Sequence, residues 1–400
     1  MNPDGQGSMR LVNQIKARLD ATHLSERVLA LPSTFYIGLC TICDIRCPYC
    51  PRQFYREDID PGLMDFDEFL KITPYLKYGE EAIFFGLGEP FLHPRFFDFL
   101  KSIRLSGIKI STSTHGMSLK PDVRNKLLDF GLDELAISID AADKKTFEFL
   151  RKGAIFEEVI ANLLALREEK KRRGSKKPDL HIATAVSRHN VDQMTKIVEL
   201  GNKLGASRVL FTDLILVDPQ NASLSVSKTD LFHKHYQRAR VKGDKLGIEV
   251  IYFHQYPFPW KKEMAPLKKA SNKRRYMCKD PWRVCIINRH GWMKPCCYYP
   301  PDTGNVFRES LEDVINNEAN TELRRRLIEG NLPECCINCG MLSEWNPGAS
   351  GKALKEAESM LEEARRNGRL SKTNIRELSQ LVTDYKERLE KVCKEVGTSL

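Results

Sequence analysis

Between residues 35 and 212 short apolar segments alternate with amphipathic ones, and this alternation limits the fold more than any other feature. Strand-like runs are STFYIGL (33–39), EAIFFG (81–86), IKISTS (108–113), DELAISI (133–139), LHIATAV (180–186) and SRVLFT (207–212). Apolar residues at helical spacing predict helices over 66–77, 94–105, 121–129, 143–170 and 191–204. Asp65 with Glu68 forms a capping-box pattern at the first helix, and Pro121 suits a first helical turn. The strands are apolar on both sides, as expected when helices cover both faces of a parallel sheet. Six βα units give an α/β fold, either a partial (β/α)6 TIM-like barrel or a doubly wound sheet.

The flanks are less regular. Residues 10–30 read as one amphipathic helix with Leu11, Ile15, Leu19, Leu24, Val28 and Leu29 on its apolar face. Beyond residue 213 the alternation stops, and Pro257, Pro259, Pro266 and the basic stretch 261–275 read as a linker. Residues 351–367 and 373–396 form a C-terminal helical hairpin. The expected organisation is a helical extension (1–32), the barrel (33–255), a small cysteine-rich metal-binding module with its linker (256–345) and a second helical extension (346–400).

The twelve cysteines fall into two groups and one outlier, Cys393. No apolar run approaches the roughly 20 residues of a membrane helix, and the N-terminus lacks a signal-peptide core. A cytoplasmic chain is therefore expected, where clustered thiols serve metals more often than disulfides. Cys43, Cys47 and Cys50 have CxxxCxxC spacing in the loop after the first strand. Three thiolates on a cubane leave one iron open to an outside ligand, although thiolates also suit zinc.

This motif after the first strand of such a barrel resembles the radical S-adenosylmethionine (radical SAM) superfamily. The resemblance implies that Cys43, Cys47 and Cys50 hold a [4Fe–4S] cluster whose open iron binds S-adenosylmethionine. Reductive cleavage there gives methionine and a 5′-deoxyadenosyl radical, which takes a hydrogen atom from the substrate. Gly86-Leu-Gly88-Glu89-Pro90 lies where the family has a GGE-type motif, with Leu87 splitting the usual glycine pair. The same resemblance implies cofactor contacts from Gly88, Glu89, Ser138, Asp140, Arg188 and Tyr49. His115 stands in TSTHG (112–116), where relatives often carry asparagine, and is expected to be solvated or structural. Cys40 is expected to pack at the end of the first strand. The sequence names no catalytic side chain.

The second group contains Cys278, Cys285, Cys296, Cys297, Cys335, Cys336 and Cys339. A glycine-turned hairpin with a cysteine on each side, closed by Cys336-Ile-Asn-Cys339, can hold a metal in four thiolates. It resembles a shortened SPASM or twitch module. That implies an auxiliary [4Fe–4S] cluster on Cys278, Cys296, Cys336 and Cys339, with Cys297 and Cys335 as alternates and zinc as the other metal. Cys285 is expected to be buried.

The formal charge of +10 is concentrated in 261–275 and 167–177, each with seven Lys or Arg. These read as linker and helix-end cations rather than a nucleic-acid footprint. The 32 residues before the first strand are too few for the leader-binding domain of peptide maturases. That favours a small natural-product or sugar-like substrate undergoing oxidation, epimerisation or rearrangement. A peptide substrate, RNA modification and a non-catalytic iron–sulfur carrier are the alternatives. An external electron donor such as flavodoxin or ferredoxin is expected, and no membrane partner.

Overall fold

The computed structural model describes residues 5–54, 60–214, 223–227, 229–253, 275–297, 299, 301–337, 339 and 341–398. The basic stretch 261–274 and the three prolines near it lie outside the described residues. Among the described residues twelve strands occur: β1 Thr34–Ile37, β2 Glu81–Phe84, β3 Lys109–Thr114, β4 Glu134–Ser138, β5 Asp179–Val186, β6 Arg208–Asp213, β7 Glu249–Phe253, β8 Tyr276–Met277, β9 Val284–Ile287, β10 Trp292–Lys294, β11 Gly304–Asn305 and β12 Ser343–Glu344. Ten form one sheet in the order β11-β10-β9-β1-β2-β3-β4-β5-β6-β7. The pairings from β9 through β1 to β7 are all parallel, which makes the fold a partial TIM-like barrel. Between β1 and β7 every connection returns the chain to the same sheet end, so all the following loops gather on one face.

The strands form because their alternate residues are apolar and buried between helices. Phe35, Ile37, Ala82, Phe84, Leu135, Ile137, Ile182, Val209 and Phe211 all sit in the central core. Asp65 caps helix Phe66–Leu70 by accepting from the Asp67 and Glu68 N–H groups. The Glu68 side chain turns instead to Lys71, so the capping box is only half made. Pro121 sits in the first turn of helix Pro121–Phe130.

Several elements differ from the expectation. The 66–77 helix is two short helices, Phe66–Leu70 and Thr73–Leu76, the second with a proline in its first turn. The 143–170 helix breaks at Gly153, whose φ of 99° is left-handed, giving Lys144–Leu150 and Phe156–Arg172. The barrel also continues past residue 213, through helix Asp230–Leu246 to β7. That helix buries few residues, among them Phe232, Ala239 and Gly243, so its apolar period is thin.

The N-terminal helix is Gln6–Asp20 rather than 10–30. It stops because the Asp20 carboxylate accepts from the Leu29 and Ala30 N–H groups and folds the chain back. Leu11, Ile15 and Leu19 pack with Leu354, Leu361, Leu378, Tyr385 and Leu389. The first helix and the C-terminal pair Pro347–Arg366 and Lys372–Val396 therefore share a core of their own.

Burial raises the Asp20 carboxyl to about 7, although Leu29, Ala30 and Arg324 favour the ionised form. The folded chain then holds a proton that the unfolded chain releases near 3.8. Stability is expected to fall as pH rises from about 4 to 7, since the folded state binds more protons across that window. Asp20→Asn is expected to flatten this fall in urea unfolding measured at pH 5 and pH 8. The same fall in the variant would contradict the assignment.

Candidate active site and auxiliary metal site

The loop leaving β1 carries the first three thiols. Its backbone is tied to the following segment through Met64 N–H to Leu39 O (2.7 Å) and a bridge between Cys40 and Leu63. Cys43, Cys47 and Cys50 are half-buried. Cys40 turns the other way, its thiol donating to the Glu89 carbonyl at 3.1 Å. Among the described residues this loop thus offers three thiols with Cys40 turned away, which fits a cubane with one open iron. Burial raises Cys47 to about 11, against the pull of Arg151. A bound cation reverses such a shift because it favours the thiolate.

Gly88 packs directly on this loop. A Cβ there would lie 2.5 Å from the Ile42 carbonyl and 2.6 Å from the Cys40 thiol. Its smallness is needed by the thiol-bearing backbone. Glu89 is buried, accepting from Thr114 Oγ1 (2.6 Å) and the His115 N–H (3.0 Å). His115 is buried as well, not solvated. Its Nε2 lies 2.7 Å from Asp44 Oδ1 and 3.3 Å from Glu89 Oε2. Asp44 stands between Cys43 and Cys47, so this histidine couples the thiol loop to the end of β3.

Cys47, Tyr49, Cys50, Asp140, Arg151 and Asp213 line a cavity of about 230 Å³ at the carboxyl ends of β4 to β6. Asp140 is buried and doubly engaged, by Arg151 Nε at 2.6 Å and the Ala185 N–H at 2.8 Å. Arg151 reaches past it to within 4.0 Å of the Cys47 sulfur. Tyr49 lies 3.3 Å from His189 Nε2, and Phe149 meets the same imidazole edge-on at 5.0 Å. Ser138 ends β4 without lining the cavity. Arg188 is exposed and does not line the cavity; its backbone N–H donates to the Leu224 carbonyl and its Nε to the Ser223 carbonyl. Arg151, His189, Phe149 and Asp213 carry no local motif. Only the return of the chain to this face brings them to the thiols.

The second thiol group is built around the β9–β10 hairpin. Gly291 turns it at φ 82°, with the Phe307 ring only 2.4 Å from where a Cβ would stand. Cys278, Cys296, Cys335, Cys336 and Cys339 line one small apolar pocket beside Leu323 and Leu327. Cys297 is exposed and Cys285 is fully buried in β9. Burial pushes the Cys278 thiol well up. Such a set is poorly suited to lie as free thiolates and well suited to a metal. The Cys335 and Cys336 sulfurs lie 4.0 Å apart, and both line the pocket.

Residues 37–201 match the family described as the Radical SAM superfamily, and 278–340 match SPASM, an iron–sulfur cluster-binding domain. The tungsten-containing aldehyde ferredoxin oxidoreductase cofactor-modifying protein of Pyrococcus furiosus is 25% identical over 335 residues, covering 76% of this chain and 86% of that protein. The mycofactocin maturase MftC of Mycobacterium ulcerans is 23% identical over 343 residues, covering 83% and 84%. In fold, the chain resembles Streptococcus suis SuiB bound to S-adenosylmethionine, with a TM-score of 0.57 and 16% identity over 78% of this chain and 71% of SuiB. The chain thus carries a radical SAM domain over residues 37–201, the core for a [4Fe–4S] cluster and S-adenosylmethionine, followed over 278–340 by a SPASM domain for an auxiliary [4Fe–4S] cluster.

Proposed function

We propose that this radical SAM enzyme abstracts a hydrogen atom from an organic substrate at the mouth of the cavity beside Cys47 and Cys50. The observation that carries this is the convergence of two core thiols, Cys47 and Cys50, with a buried Asp140–Arg151 pair on one cavity. Cys43, Cys47 and Cys50 hold the core cluster, and Cys278, Cys296, Cys336 and Cys339 the auxiliary one. When bound, S-adenosylmethionine supplies a 5′-deoxyadenosyl radical on one-electron reduction. Arg151 offers a desolvated guanidinium to a carboxylate in the cavity, where the low dielectric strengthens the attraction. Glu89 fixes the end of β3 and the imidazole that grips Asp44. Tyr49, His189 and Phe149 give the rim flat surfaces that suit a planar ligand.

The electron is supplied by a small carrier of the flavodoxin or ferredoxin kind, and the chain works in the cytoplasm. No helix among the described residues is long and apolar enough to cross a membrane. The outcome for the substrate is oxidation, epimerisation or rearrangement of a small molecule. A peptide is the second reading, favoured by the similarity to a mycofactocin maturase and by SuiB, whose structure is known with its precursor peptide SuiA. Deuterated small-molecule and peptide fractions separate the two, since only the true substrate class transfers deuterium into 5′-deoxyadenosine.

Anaerobic purification is expected to give about eight irons per chain, two cubanes of four. After dithionite reduction the protein is expected to convert S-adenosylmethionine to 5′-deoxyadenosine. Cys43→Ala is expected to abolish that product and remove about half the iron. Persistence of 5′-deoxyadenosine in this variant would sink the assignment. Gly88→Ala is expected to drive the Ile42 and Cys40 backbone apart and to lose core iron selectively, read by iron count and electron paramagnetic resonance. Arg151→Ala is expected to weaken S-adenosylmethionine binding by about tenfold or more in equilibrium dialysis, as buried charge pairs do when one partner is truncated. Unchanged binding would remove Arg151 from the cofactor site.

A further inference from the structure

The segment between helix Gln6–Asp20 and β1 crosses the SPASM domain and is fastened on both sides of one residue. Trp345 Nε1 and Ser350 Oγ both donate to the Thr22 carbonyl, at 3.0 and 2.9 Å. Trp282 Nε1 donates to the Ser25 carbonyl at 2.9 Å, and Arg324 to the Glu26 carbonyl at 2.6 Å. Between these anchors His23 takes a φ of 56°, alone among the described non-glycine residues in having a positive value. That conformation disfavours an ordinary side chain by about 1–2 kcal/mol. It persists only where the surroundings over-determine it.

The His23 ring is 2% exposed, and neither of its nitrogens has a hydrogen-bond partner. Buried polar groups left this way are rare and call for a reason. The ring packs edge-on against Trp282, 4.7 Å between centroids, and lies against the main chain of both Ala21 and Cys278. A neutral imidazole carries one N–H and one lone pair.

We infer that His23 is a positioning residue for the auxiliary cluster, its imidazole N–H serving as the donor to the Cys278 main-chain carbonyl in the loaded protein. The inference rests on Cys278 being an iron–sulfur ligand. It accounts together for the strained backbone, the unmatched nitrogens and the double tryptophan fastening. Hydrogen bonds one shell out from a metal orient its ligands, and losing one typically weakens metal retention 10–100-fold.

The test uses the full chain with Cys43, Cys47 and Cys50 replaced by alanine, so that the auxiliary cluster is read alone. In that parent, His23→Gln keeps a donor and His23→Met does not, at nearly equal side-chain volume. Iron loss to a ferrous chelator is expected to be about tenfold faster for Met, and within about twofold of the parent for Gln. The resonance of the reduced cluster is expected to shift for Met alone. Equal rates and unchanged spectra across the three chains would overturn the inference. Should the Met variant not fold, nitrogen-15 histidine spectra of the unsubstituted protein decide. The His23 N–H is expected to move on cluster loading, and an unmoved signal would overturn it. A parent that takes up no iron would fault the iron–sulfur reading instead.

Discussion

Both metal sites hang on one short strand. On one edge β1 pairs in parallel with β2, aligning Ile37 with Phe84, and on the other with β9, aligning Ile37 with Ile287. The loop after β1 carries the core thiols and the loop after β2 carries Gly88 and Glu89, whereas Cys278 precedes β9 and Cys296 follows the antiparallel β10, toward the start of β9. Because the three strands run the same way, their following loops emerge at one sheet end. Ladder register then sets how the three loops meet. The β1–β9 pairing closes a loop of about 250 residues, yet loop entropy grows only logarithmically, so a few ladder bonds and buried side chains suffice to hold it.

How much of this was legible in the sequence follows from the range of each interaction. The thiol spacings, the Asp65 cap and the six strands are local patterns, and they read directly. The pairing of β9 with β1 is not local. Val284 to Ile287 read as part of a separate small module, whereas they extend the barrel's own sheet. Helix breaks were missed where a single residue decided them, as at Gly153, whose left-handed backbone also presses the 151–155 turn against Ile45. His115 read as a loop histidine because nothing nearby in sequence marks Asp44 and Glu89 as its neighbours.

The charge surplus reads differently once partners are assigned. In the 167–177 stretch, Arg167 donates to the Lys203 carbonyl and Arg173 pairs with Asp129. Lys177 pairs with Asp133. These cations close the ends of helix Phe156–Arg172 over neighbouring elements, at the sheet end opposite the thiols.

Asp140 shows how a family resemblance and a particular structure divide the explanation. Its position at the end of β4 suits a cofactor contact, but both carboxylate oxygens are occupied, one by Ala185 N–H and one by Arg151. An isolated carboxylate at that depth would be costly, and so would an isolated guanidinium; paired, they hold each other in place. Arg151 thereby presents its far end to Cys47 and the cavity. The acid therefore acts through the base. What it determines is where a positive charge stands beside the thiol, and losing the carboxylate would free Arg151 to leave the cavity while the three thiols stayed in place.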